Sequence, residues 1–378
     1  MSAKVKEFIA DLQKRRADYN EDTIKQLGRA FSRKDRKPPE LFEDSSFLYM
    51  RSFDADQGTR PFSNITFWHS PDINLSPLSN PTNITTELQA GETYNIQVAL
   101  RNRGDLAVPS AKVELFLVDP SIGFDVRMAE RLTNLTNMQT AWVSSGASAV
   151  TQFHYTVPSN QAGHKCLFAR CFSFSPLDVP FDDFLLDPRL DRHVAQQNLN
   201  IVAQSSSFEL MVFHNPNAQM RLGFVPMKAE DIFNLRHPIL GEARPFDDIP
   251  QREWTRATGP QIIKTTANVD IDLDGNDIHL ISKDADSSGL DLQRRLKGEM
   301  RKILGAVASG KTKLARHKNI VAEFRKMNAE TVATRMQIKI PDLGLGKGQV
   351  AGVQLQGIDV AFDPNDPIGG FTMLVVGT

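Results

Sequence analysis

The chain of 378 residues has 40% hydrophobic residues, 23 Gly and 21 Pro, with 44 Lys and Arg against 45 Asp and Glu. This length exceeds what one hydrophobic core usually serves, and the composition excludes wholesale disorder. A net charge of −1 excludes an overall electrostatic attraction to nucleic acid or anionic membranes. The first residues lack the apolar run of a signal peptide, and no apolar stretch could cross a bilayer, so we expect cytoplasmic synthesis and no membrane span.

The N-terminal segment, residues 1–61, predicts a helical arm and a linker. Apolar residues recur at helical spacing around Phe8 and again around Leu27. Through residue 37 the segment has 11 Lys and Arg against 6 Asp and Glu, which makes it basic. An arm of this kind packs on its own chain or docks on another subunit. Its candidate interaction residues are Lys14, Arg15 and Arg16.

From about residue 62 the hydrophobic period changes to two, which predicts β-strands. In one of them four apolar side chains share a face, namely Tyr94, Ile96, Val98 and Leu100. The two cysteines, Cys166 and Cys171, lie in a later strand on opposite faces and about 17 Å apart, which is too far for a disulfide. We expect packed thiols. Short strands separated by turns favour a β-sandwich over an α/β fold.

Three segments of this region carry a resemblance to a known family. Trp68–Ile73, Tyr94–Gly104 and Val113–Leu117 resemble CARDB-like (cell-adhesion-related) immunoglobulin-type domains, in which an alternating strand ends in Asn-x-Gly. The resemblance covers about residues 62–203. It implies an immunoglobulin-like β-sandwich that serves as a spacer or binding module, and it transfers no catalytic residues because such domains share none.

Residues 205–378 predict a second β-sandwich. Strand patterns lie at 208–214, 269–274, 278–281, 336–340, 353–356 and 371–376, and a helical pattern interrupts them at about 290–328. The predicted fold class is therefore mainly β, with two Ig-like β-sandwich domains, an N-terminal helical arm and a helical insertion in the second domain. The predicted boundaries are 1–61 for the arm and linker, 62–204 for the first sandwich and 205–378 for the second.

Residues 305–312 match the phosphate-binding P-loop pattern. In a P-loop the backbone amides and the lysine hold phosphates while the hydroxyl group holds Mg²⁺, so this alternative predicts Mg-ATP binding by an ATP or GTP hydrolase. Its site residues would be Gly305, Gly310, Lys311 and Thr312. A P-loop follows a strand, whereas apolar residues here repeat at helical spacing from Leu292 to Val307. We therefore expect neither a nucleotide site nor catalytic residues.

Two acidic segments suggest other chemistry. Asp270, Asp272 and Asp274 alternate before a glycine as in a Ca²⁺ loop, but Ile281 stands where an EF-hand needs a bidentate Glu. We favour a solvated strand face over a Ca²⁺ site, and we expect no cofactor. In residues 181–193, Asp and His side chains could perform acid–base work, but the arginines among them favour local ion pairing.

Residues 291–326 have 11 Lys and Arg against 3 Asp and Glu. Such a basic segment packs on an acidic part of its own chain or docks on an acidic neighbouring subunit. Binding of nucleic acid is the alternative, but the segment has a single aromatic residue, Phe324, to stack on bases. The candidate interaction residues are Arg294, Arg295, Arg301 and Lys302.

The sequence as a whole predicts a non-catalytic structural component of a large assembly whose partners are other protein subunits. An Ig-like chain without an export signal suggests a phage virion or a contractile injection particle, in which it would be an adaptor, a decoration protein or a cargo.

Overall fold

The computed structural model describes most of the chain from residue 45 onward. The described residues are 45–85, 87–134, 137–159, 163–175, 178–203, 206–233, 235, 240, 244–245, 261–265, 269–274, 277–283, 286–309, 311–340, 342–360, 363 and 365–377. The predicted N-terminal helical arm, with Lys14, Arg15 and Arg16, lies outside them. No helix in the described part of the chain is long and apolar enough to span a membrane.

The described residues form 22 strands and three α-helices, which confirms the prediction of a mainly β chain. The strands are β1 (Leu48–Tyr49), β2 (Ile73–Pro77), β3 (Glu87–Leu88), β4 (Thr93–Asn102), β5 (Val108–Val118), β6 (Ser121–Ile122), β7 (Glu130–Arg131), β8 (Thr140–Val143), β9 (Ser148–Thr156), β10 (Gly163–His164), β11 (Cys166–Phe172), β12 (Val194–Gln197), β13 (Leu199–Ala203), β14 (Ser207–His214), β15 (Gln219–Pro226), β16 (Arg244–Pro245), β17 (Gln261–Thr265), β18 (Val269–Asp274), β19 (Asp277–Ser282), β20 (Val332–Lys339), β21 (Gln349–Asp359) and β22 (Pro367–Val376). The helices are α1 (Ala229–Phe233), α2 (Ser287–Ala308) and α3 (Lys318–Ala329).

The first two sheets share one hydrophobic core. In one sheet β4 pairs with β1 and β2 on one side and with β9 on the other; in the facing sheet β5 lies between β11 and the short strands β7 and β8, and β12 pairs with β11. All of these pairs are antiparallel. The face predicted from the period of two is buried in this core, with Tyr94, Ile96, Val98 and Leu100 at most 1% exposed.

The cysteines behave as the sequence predicts. Both thiols are free and buried in β11. Cys171 belongs to the core between the first two sheets, whereas Cys166 packs on the other side of its sheet with Phe116 and Phe168. They therefore point to opposite faces and line two different clusters. Burial raises the pKa of the Cys166 thiol to about 12.

The C-terminal half contains two further sheets, of seven and four strands, with a second shared core. One has the order β13-β22-β21-β15-β19-β18, with β16 also paired to β21, and the other has the order β17-β20-β14-β6. Two strands connect this half to the segment before it. β13, which the sequence places in the first sandwich, pairs in parallel with β22, and the short β6 pairs in parallel with β14.

The joint between these parts is tightly packed at glycines. Trp68 is fully buried, and its indole Nε1 donates to Thr372 Oγ1 at 3.2 Å. A Cβ added at Gly370 would lie 2.9 Å from the Trp68 ring, and one added at Gly357 would lie 2.3 Å from Ile122 Cγ2. Only glycine allows β21 and β22 to approach β6 and Trp68 this closely.

The helical insertion predicted at about 290–328 is confirmed as the two helices α2 and α3. Asp286 caps α2 by accepting a hydrogen bond from the Gly289 amide at 2.6 Å. A 3₁₀ turn, Leu314–His317, leads into α3. The apolar faces of both helices form one cluster with Phe181, which extends from the loop before β12. The insertion therefore packs on its own chain.

Candidate functional site

The two helices of the insertion, called here the helical hairpin (287–329), bury one face and expose a basic one. The buried face carries Leu296, Met300, Val321, Phe324 and Met327. Because apolar residues recur every three or four positions, the charged residues between them point to solvent. The exposed Lys and Arg residues are Arg294, Arg295, Lys302, Lys311, Lys313, Arg316, Lys318, Arg325 and Lys326.

Polar contacts also hold the hairpin on the protein. Lys297 forms an ion pair with the buried Asp359 at the end of β21. Arg301 contacts Asp363 at 3.2 Å and Asp366 at 3.5 Å. Asn328 donates to Asp182 at 2.9 Å, which connects α3 to the loop of Phe181. Lys297 and Arg301 therefore pair with carboxylates of the chain outside the hairpin, and Arg325 Nε donates to Phe181 O at 2.5 Å.

The four candidate interaction residues on α2 have different surroundings. Arg294 and Arg295 are exposed and form ion pairs within the hairpin, with Asp291 at 3.1 Å and with Glu323 at 3.4 Å. Lys302 is exposed and forms no ion pair with a residue that the structure describes. Arg301 is half-buried and held by acidic residues of its own chain, so it is not available to a partner.

The acidic loop 181–193 forms ion pairs, as predicted. Arg189 contacts Asp187 at 2.7 Å, and His193 contacts Asp191 at 2.7 Å. Burial favours the neutral form of Asp178, but the neighbouring His193, whose Nε2 lies 3.7 Å away, and the charge of Arg192 outweigh it and lower its pKa to about 2. The pKa of Asp191 is also lowered, because contacts with His193 outweigh the burial of this carboxyl group. Such carboxylates stay ionised at neutral pH and are poor general acids or bases.

The residues of the P-loop alternative lie at and just after the C-terminal end of α2. Residues 305–308 are the last turn of α2, so no strand precedes the motif. The amides that would bind phosphate are used internally, since Ser309 N donates to Gly305 O at 3.1 Å and Lys311 N donates to Ala306 O at 2.9 Å. Thr312 Oγ1 contacts His317 Nε2 at 3.0 Å. Gly310 lies outside the described residues.

The three aspartates suggested for Ca²⁺ lie along one exposed edge of the sheet. Asp270, Asp272 and Asp274 belong to β18, where alternate side chains are about 7 Å apart and do not converge. Asp270 contacts Lys283 at 3.5 Å. Within the described ranges, no three His, Cys, Asp or Glu side chains are placed to hold a metal ion.

A cavity of about 100 Å³ lies beneath the hairpin. It is lined by apolar side chains of the hairpin and of both halves of the chain. Its charged lining residues are Asp187, Arg189, Lys297, Arg301, Asp359 and Asp366. No pattern in the sequence indicates this site. Asp359 is 62 residues from Lys297, and neither position carries a local pattern that indicates the other.

Comparison with known proteins gives little further information. No protein-family model and no curated protein matches the chain. Among solved structures, a β-glucosidase from Listeria innocua has 14% identity and a TM-score of 0.17, covering 35% of this chain and 17% of its own. Red sea bream transglutaminase has 8% identity and a TM-score of 0.17, covering 82% of this chain and 32% of its own. The CupB6 tip adhesin from Pseudomonas aeruginosa has 7% identity and a TM-score of 0.17, covering 82% and 98%.

Proposed function

We propose that the chain is a non-catalytic structural component of a larger protein assembly, in which the helical hairpin docks on an acidic surface of another subunit. The observation that carries the proposal is the hairpin itself. One of its faces is fixed to the chain by an apolar cluster and by ion pairs, and the other presents nine exposed Lys and Arg residues.

Electrostatic complementarity favours a protein partner. Exposed cations attract an acidic partner and select its orientation. Because the hairpin is already held on the chain, it does not have to be ordered when the partner docks. The surface is unsuited to base stacking, because Phe324 is buried in the apolar cluster. A protein surface with clustered Asp and Glu is therefore the partner that this chemistry fits.

The rest of the chain would serve as a rigid spacer. We assign residues 62–204 and 205–378 to two Ig-like β-sandwich domains of the CARDB-like type, with the hairpin as an insertion in the second. Each half contains two sheets around a shared core, as such an arrangement requires. The proposed assembly is a phage virion or a contractile injection particle, built from subunits made in the cytoplasm.

The first test is the size of the native particle that contains the chain. Gentle lysis, gradient sedimentation and mass spectrometry of the fractions should place it in a megadalton particle with fixed companions. Nuclease treatment should leave that particle intact. Recovery of the chain only as a free monomer would sink the proposal, and loss of the particle after nuclease would point to nucleic acid.

A pair of charge-reversal variants tests the surface. Lys302, Lys318 and Lys326 are exposed on the hairpin, and changing all three to Glu should remove the chain from the particle. The matched control changes Lys228, Lys283 and Lys347 to Glu, which alters the net charge equally at exposed positions outside the hairpin. Incorporation should fall at least tenfold in the first variant and stay unchanged in the control. Equal behaviour of the two variants would refute a role for the basic face.

A further inference from the structure

The cavity beneath the helical hairpin has walls of two kinds. Phe181 and Phe324 line it from the hairpin side, with ring centroids 6.2 Å apart, and Phe124 and Phe213, which belong to a different apolar cluster, also line it. Aromatic walls provide apolar surface for a flat ligand. The lining residues Phe62 and Thr331 are half-buried, so solvent reaches part of the cavity.

The charged groups of the lining balance one another. Arg189 contacts Asp187 at 2.7 Å and Asp366 at 3.6 Å, and Arg301 also contacts Asp366. Lys297 is paired with Asp359. The lining therefore contains three cations and three carboxylates that neutralise one another. An additional charge on a ligand would be buried without a counter-ion, which is costly, so the cavity fits a neutral molecule.

One carboxylate oxygen in this lining lacks a partner. The side chain of Asp359 is 1% exposed, and its Oδ2 accepts a hydrogen bond from Gln293 Nε2 at 2.9 Å and the ion pair from Lys297. Its Oδ1 has no hydrogen-bond partner among the described residues. Buried acceptors are nearly always satisfied, and leaving one unpaired destabilises the fold. A ligand that enters the cavity can supply the missing donor.

We propose that this cavity binds a small neutral aromatic alcohol, whose ring lies between the phenylalanines and whose hydroxyl group donates to Asp359 Oδ1. Its volume of about 100 Å³ is smaller than the apolar cavity of about 150 Å³ that encloses benzene, so at most one ring enters and part of that ring stays at the solvent-accessible side. A substituent on the ring would extend towards the solvent-accessible part of the lining. This ligand contacts both the hairpin and the first half of the chain, so its binding stabilises the packing between them.

Phenol and toluene are matched probes, because toluene has a methyl group in place of the hydroxyl group that would donate a hydrogen bond to Asp359. Binding to the full chain is measured by saturation-transfer NMR and calorimetry. We expect the wild-type chain to prefer phenol over toluene at least tenfold, as a hydrogen bond to a charged acceptor implies. Two results would overturn the proposal: no binding of phenol, as expected for a cavity that holds only water, or equal binding of both probes, as expected for apolar contact without the hydrogen bond.

Asp359→Asn removes the charged acceptor. Lys297 and Gln293 would hold the amide oxygen, so the amide nitrogen would face the cavity and the preference for phenol should disappear. Asp270→Asn is the control, since Asp270 is 72% exposed and remote from this lining. Thr331→Phe fills a half-buried part of the lining and should weaken both probes, which keeps the test decisive if Asp359→Asn fails to fold. A preference for phenol that survives in folded Asp359→Asn, or undiminished binding of both probes to Thr331→Phe, would refute the assignment.

Discussion

The close contact between β6 and β21 allows us to predict how one added methyl group changes the free energy of unfolding. In Gly357→Ala, the new Cβ would lie 2.3 Å from Ile122 Cγ2, whereas carbon atoms in contact lie about 3.5–4.0 Å apart. The strands would have to separate by about 1 Å or more, or Ile122 would have to leave its rotamer. Overpacking of this kind costs about 1–3 kcal/mol, and the reduced entropy of the unfolded chain returns about 0.4–1 kcal/mol. We expect Gly357→Ala to lower the free energy of unfolding by about 1–2 kcal/mol.

Urea denaturation followed by tryptophan fluorescence, to which the buried Trp68 contributes, measures this change. Gly298→Ala in α2 is the matched control, because an added Cβ there meets nothing within 4 Å, and it should stabilise the helix by about 0.5–1 kcal/mol. In an Ile122→Ala background the clash is absent, so Gly357→Ala should cost much less there. A neutral Gly357→Ala variant, or an undiminished cost in that background, would refute the steric reasoning.

Three further predictions follow from individual side chains. Lys311→Ala should leave Mg-ATP calorimetry unchanged, with no binding by either protein; binding that this variant loses would restore the P-loop alternative. Because burial raises the pKa of Cys166 to about 12, iodoacetamide at pH 8 should modify it only after denaturation, and mass spectrometry detects the adduct. Burial lowers the pKa of His69 to about 4 from 6.5 in the unfolded chain. The unfolded state therefore takes up a proton first as the pH falls, so stability should decline between pH 6.5 and 4, and His69→Gln should flatten that decline in urea titrations.

The spacing of apolar residues along the sequence predicted several strands and helices and the faces that they bury. The alternation from Tyr94 to Leu100 marks one face, and a strand that covers a core must bury that face, so pattern and burial agree. The helical spacing around Leu296 and Met300 likewise predicted a helical region and the face that α2 buries, although not its division into two helices. The same spacing predicted that Gly305 lies in a helix, as it does in the last turn of α2.

Partners distant in the sequence could not be predicted in this way. The pattern of Leu199–Ala203 indicates a strand, but nothing in it indicates parallel pairing with residues 372–376. Asp359 and Lys297 are ordinary surface residue types, and only the fold turns them into a buried pair beside a cavity. In the loop 181–193 the mixture of charges predicted ion pairing, but composition alone does not reveal that Asp191 and His193 are buried.

The parallel pairing of β13 with β22 has a consequence for biosynthesis. β13 is the edge strand of its sheet and pairs there with β22. The backbone groups of β13 that face β22 therefore stay unpaired until residues 372–376 have left the ribosome. About 170 residues separate the two strands in the sequence. At roughly 5–20 residues per second, translation leaves β13 without that partner for about 10–30 s. During this interval, intermolecular strand pairing competes with folding, so the nascent chain should depend on chaperones more than the finished protein does.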